Sequence, residues 1–169
     1  MRRVELEAQD LRDVVDQIWE SVFNLTLESV EQEPASKDPR FLTGCIQISG
    51  SWDGALVLRC SYLLAREFTA TMLGIEEPAD EDIADALGEL TNLTTGATQA
   101  LLPTPSELTP PSVIEGKDYK LILPHFTLVN EANFQHGTEP LTIMLFESKP
   151  ATAALHDGAA ASPGRKDAN

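Results

Sequence analysis

The sequence predicts an α+β domain with helices packed on one sheet. Three observations lead there. Two stretches repeat apolar residues with the 3.6-residue period of an amphipathic helix. Two β-rich runs flank a short glycine-bounded turn, as in a hairpin. The order helix, hairpin, two helices and strands keeps helices and strands in blocks, which suits an α+β layer arrangement better than a parallel α/β one.

The first helix is expected from Val4 to about Val30, where Leu11, Val14, Val15, Ile18, Val22 and Leu25 keep the helical period with acidic residues opposite. Glu31–Pro39 is polar and punctuated by prolines, hence a loop. Thr43–Ser49 and Ala55–Cys60 read as the hairpin strands, with Gly50–Gly54 as the turn. Ser61 suits the N-cap of a helix over Tyr62–Leu73, and Gly74 its left-handed stop. Pro78 and Asp80 introduce a third helix, acidic in its first turn where the dipole favours acids, and Pro103 ends it. Thr104–Ser112 carries further prolines around Glu107 and reads as loop. Asp118–Pro124, Phe126–Val129 and Leu141–Phe146 are expected strands, with Asn130–Pro140 a long polar connection. Residues 1–148 then form one domain, and the small, aperiodic residues 149–169 a disordered tail. No internal repeat is present.

A chain of 169 residues with 42% hydrophobic content suffices for one well-filled core. Its 12 basic against 27 acidic residues give a net charge of −15, which repels phosphate backbones and anionic lipid. No nucleic acid and no membrane are therefore expected as partners; a basic patch on another protein is. Arg2 and Arg3 have no apolar run behind them, so a signal peptide is not expected, and no stretch approaches a membrane span. A cytoplasmic location follows as the expectation. Cys45 and Cys60 fall at opposite ends of the hairpin and read as two buried small hydrophobes kept reduced. There is no Cys-x-x-Cys and no His pair at i, i+4, so no metal site is expected. His125, His136 and His156 are scattered and receive no chemistry.

The third helix holds the candidate site. Asp85, Glu89 and Asn92 stand at spacings of four and three, so their side chains share one face. Ile83, Leu87, Leu90, Ala97 and Leu101 form a separate stripe that would anchor the helix from behind. An acid and a carboxamide on a rigid helix can act as a positioned pair. Gly88 and Gly96 flank them. Glycine inside a helix costs about 1 kcal/mol against alanine, so each needs a reason: close approach of a partner, or tight packing on the sheet. On so acidic a domain, a Glu and an Asn on an outward face are most often simply solvated.

Asp85-x-x-x-Glu89-x-x-Asn92 followed by Leu-Thr-Thr-Gly96 resembles the signature of the CheX/CheC/FliY phosphatases of bacterial chemotaxis, most of all CheX. The similarity extends from the strands at Gly44–Cys60 past Pro103 to Leu141–Glu147. It implies a CheX/CheC-like single domain with helices on a mostly antiparallel sheet. It implies a phosphatase for the aspartyl phosphate of a CheY-type receiver domain, in which Asn92 positions the water and Glu89 pairs with the receiver's lysine. Asp85, Gly88 and Gly96 would lie in the partner surface. The protein would need no cofactor of its own, with Mg²⁺ on the receiver. CheC-type members carry the signature twice, and this chain carries it once. After Gly96 the family often has Asn or Ser, then Ala and a basic residue, whereas this chain has Ala97-Thr98-Gln99, which puts partner identity in question. The alternative is a catalytically inactive docking module for a receiver or a flagellar-switch or signalling protein. CheX proteins pair through their sheets, so a homodimer using an edge near Leu121 and Leu141 is one expectation. A monomer with that edge covered is the other.

Overall fold

The computed structural model describes residues 5–150. Three helices, α1 (Ala8–Ile18), α2 (Tyr62–Leu73) and α3 (Asp80–Gln99), pack on an antiparallel open sheet. Its seven strands are β1 (Glu28–Val30), β2 (Arg40–Gly50), β3 (Gly54–Ser61), β4 (Ser106–Leu108), β5 (Ser112–Lys117), β6 (Phe126–His136) and β7 (Glu139–Ser148). The strand order is β1-β6-β7-β3-β2-β4, and β5 shares the outer side of β2 with β4. The tail expected over 149–169 falls almost wholly outside the described residues. So do His156 and the first four residues.

Alternation along the strands decides which face meets the helices. Leu42 pairs with Cys60 and Leu56 with Leu145, while Leu58 pairs with Ile143 and Phe134 with Leu141. These side chains are fully buried and join Leu11, Val15 and Ile18 of α1 and Phe68 of α2 in one core. Trp19, Phe23 and Phe68 close its α1 end, with ring centroids 5.1 to 5.7 Å apart. On the opposite face, Thr43 bonds the Tyr119 hydroxyl at 2.6 Å, and Glu33 binds Arg59 while also accepting from Thr142. Cys60 points into the core, where burial pushes its thiol up to about 12, and Cys45 faces the other way, half-buried. The two cysteines thus lie on opposite faces of the sheet.

Several expectations are corrected. The first helix stops at a π turn, Trp19–Phe23, because Asn24 adopts the left-handed conformation (φ 51°) that asparagine tolerates. Val22 is consequently 48% exposed, and Glu28–Val30 form a short strand on β6. Within the expected loop Thr104–Ser112, Ser106–Leu108 pair with β2, and Ser112–Lys117 continue along the same edge. Asp118–Pro124 is irregular, bounded by the left-handed residues Asp118 and His125. The polar stretch after Val129 is the second half of β6, and only Gly137 and Thr138 connect it to β7. Leu121 therefore lies in a loop and Leu141 on an interior strand paired on both sides, so neither is a sheet edge.

Candidate functional site

Helix α3 lies over the β2 side of the sheet. Its start is fixed by a relay of contacts. The Tyr62 hydroxyl donates to Asp80 at 2.7 Å, Arg40 stacks on the Tyr62 ring at 3.6 Å, and Asp38 grips Arg40 at 2.7 Å. The Arg40 guanidinium holds the Asp38 carboxyl down at about 2, and the bond to Asp80 raises the Tyr62 phenol above its ordinary value. Asp82 accepts from the Ala79 N–H at 3.1 Å and caps the first turn.

The inner face of α3 is half aliphatic and half threonine. Ile83, Leu87 and Leu90 are buried as expected, but Leu101 is exposed beyond the helix end. Its place is taken by Thr91, Thr94, Thr95 and Thr98, all buried. Each donates its hydroxyl to the carbonyl four residues earlier, at 2.7 to 2.8 Å. Gly44 of β2 lets this face sit close. A Cβ there would stand 2.0 Å from the Thr91 hydroxyl oxygen, so only glycine fits without displacement. The threonines recur at i, i+3, i+4 and i+7, a helical stripe visible in the sequence once hydroxyls are allowed as core residues.

The outer face carries the predicted residues. Asp85 and Glu89 are exposed and Asn92 is half-buried, all on the same side. Among the described residues, no side-chain hydrogen bond or ion pair uses any of the three. Their polar atoms are left to solvent or to a partner. Gly96 is exposed, and a Cβ on it would meet nothing within 4 Å. Gly88 is placed differently: it is buried, with Pro111 and Val113 at 3.5 and 3.7 Å from where its Cβ would be. The proline-rich segment thus walls one flank of the face. Gln99 donates to the Ser106 carbonyl and hydroxyl at 2.9 Å and ties β4 to the end of the helix.

Two clefts lie away from this face, one of about 420 Å³ beside Asp16, Glu20 and Leu27 and another of about 340 Å³ on α2 beside Leu63 and Arg66. No group of three His, Cys, Asp or Glu among the described residues is arranged to hold a metal ion. No helix there is long and apolar enough to cross a membrane. A convex helix face with free carboxylates and one free carboxamide suits a macromolecular partner. It can orient a water or a neighbouring cation.

The family model "Chemotaxis phosphatase CheX" matches residues 42–130, which include most of β2 and all of β3, α2 and α3. Solved structures agree in fold. The chemotaxis protein CheX from Vibrio vulnificus superposes with a TM-score of 0.71 at 21% identity, covering 87% of this chain and 100% of that one. CheX from Borrelia burgdorferi, solved as a CheX–CheY–BeF3–Mg²⁺ complex, gives a TM-score of 0.69 at 15% identity over 88% of this chain and 100% of that one. A CheC-like superfamily protein from a Shewanella species gives 0.65 at 23% identity over 83% and 96%. No curated protein sequence matches. With more than half its length in the family model, this chain belongs to the chemotaxis phosphatase CheX family.

Proposed function

We propose that this member of the CheX family removes the phosphoryl group from the aspartate of a CheY-type receiver domain, using the outer face of α3. The observation that carries the reading is the state of that face: a carboxamide and two carboxylates, unpartnered among the described residues, on a helix whose opposite face is buried. An aspartyl phosphate is already activated, and hydrolysis needs a water held in line with the leaving carboxylate. Asn92 suits that task, since its carbonyl oxygen accepts a hydrogen from water while its amide donates to a phosphoryl oxygen. Water attacks phosphorus, the bond to the aspartate oxygen breaks, and inorganic phosphate and a free carboxylate leave. Glu89, one turn earlier, would pair with the receiver's lysine and set the register of the complex, an orienting more than a strengthening contact. Asp85 would meet the partner's rim, and Gly96 would let the partner approach the helix closely. Gly88 would act from beneath, by seating α3 against Pro111. Mg²⁺ would belong to the receiver.

The decay of phosphate on purified CheY-type receivers tests this. Wild-type protein should accelerate it, and Asn92→Ala should lose on the order of 10²-fold. Full activity in the variant would remove Asn92 as the water-positioning group.

One observation favours a second reading. Gln99 stands where the family often has a basic residue and is engaged with Ser106, so the chain departs from its relatives beside the site. A docking module without catalysis, acting on a receiver or a switch component, fits that departure. Measurable binding with no acceleration of phosphate loss would select it.

A further inference from the structure

We propose that Leu93 is the apolar docking contact of this face, seating the receiver against the C-terminal half of α3; the inference rests on a receiver being the partner. Leu87 and Leu90, on the same helix, are at most 1% exposed, whereas Leu93 is 39% exposed. Leu93 directly follows Asn92, comes four residues after Glu89 and stands three before Gly96, so it neighbours the latter two on the helix surface. The outer face divides there. Its first half presents Glu81, Asp85 and Glu89. Its second presents Leu93, Gly96 and Ala100, all exposed and uncharged, with open space above Gly96.

An interface commonly has an apolar centre depleted of charge and a polar rim. Here the acidic half supplies the contact for a basic side chain, and the apolar half beside it is the only part of the outer face able to gain from losing water. The two halves adjoin at Glu89, Asn92 and Leu93, so a partner that engages Glu89 and delivers its phosphoryl group to Asn92 must cover Leu93. Burying the exposed two-fifths of the leucine accounts for roughly a tenfold gain in affinity.

The test is steady-state hydrolysis with a CheY-type receiver phosphorylated on its aspartate and loaded with Mg²⁺. Leu93→Ser should raise KM on the order of tenfold and leave kcat unchanged. Leu73→Ser, at a more open leucine (47% exposed) on α2, should change neither. An unchanged KM, or a fall in kcat at constant KM, overturns the docking role. Asn92→Ala in the same assay lowers kcat if the catalytic reading holds, whatever Leu93 does. If wild-type protein binds receivers without hydrolysing them, the tenfold loss is read as Kd by calorimetry, and wild-type affinity in Leu93→Ser overturns the proposal. Receivers that neither bind nor lose phosphate overturn both readings.

Discussion

The two faces of α3 handle polar groups in opposite ways. On the inner face four threonine hydroxyls are buried, and each is satisfied within the helix by its own backbone. On the outer face Asp85, Glu89 and Asn92 have no protein partner among the described residues. A buried hydroxyl without a partner costs about 1–3 kcal/mol, so the inner face has to be self-sufficient. A solvated carboxylate carries no such requirement and stays available. Stability thereby falls to one side of the element and the proposed recognition to the other, and substitutions should separate them.

The widest separation is expected at Asn92. Asn92→Ala should cost on the order of 10²-fold in hydrolysis while shifting stability by no more than about 0.5 kcal/mol. A large drop in thermal midpoint would mean that Asn92 is part of the packing and would collapse the distinction. Gly44→Ala acts from the other side. Its new Cβ collides with Thr91, so unfolding should become easier by about 1–3 kcal/mol, a fall of several degrees in midpoint. Adding Thr91→Ala should restore part of that loss in a double-mutant cycle, and no restoration would disprove the contact.

Gly96→Ala sharpens the contrast further, because stability and docking should move in opposite directions. With nothing near its Cβ, the alanine should stabilise the helix by about 1 kcal/mol. Receiver affinity should fall if the partner approaches the backbone there. A stabilised variant that docks as wild type takes Gly96 out of the interface. The smallest effect concerns the anchoring of the helix start. Arg40 lowers the Asp38 carboxyl from 3.8 to about 2, so the pair's stabilising contribution is present above pH 4 and is lost as pH falls through 2. Both groups are solvated, so the change in stability is slight. An NMR titration should place the Asp38 midpoint near 2, and Arg40→Ala should return it toward the ordinary range.

The caps of α2 and the extent of α3 were legible because single residues decide them: Ser61 accepts from the Leu64 N–H, and Gly74 is left-handed. The hairpin was legible because β2 and β3 carry β-forming residues around a glycine-bounded turn. Other elements were hidden by how little of each is buried. The half of β6 after Val129 looks like a polar loop, since only Ala132, Asn133 and Phe134 are buried there; Gln135 and His136 bond Glu28, Thr26 and Glu67. β5 has no buried residue and β1 only three residues. Asp118–Pro124 misled in the other direction, having strand-like residues and no strand beside them. At the site, the outward face was readable from spacing alone. Its threonine seat was not, because an apolar stripe was sought and Leu101 was taken in place of Thr94 and Thr98. Leu93 went unnoticed because position on a face, and not hydrophobicity, makes it exposed.

The notch at Gly44 has a mechanical meaning as well. A helix of 20 residues is about 30 Å long, so a small tilt about one seated point is magnified along its length. Displacement is smallest at the fulcrum and grows toward the ends. Thr91, wedged into the sheet, is that fulcrum. Asn92 is the next residue, about 1.5 Å along the axis, and Glu89 lies two residues before Thr91. Asp85 lies farther out, between this notch and the bond that Asp80 makes with Tyr62 at the helix start. On the proposed reading, the two residues that must be placed with the least error, Asn92 and Glu89, stand beside the notch that seats the helix on Gly44.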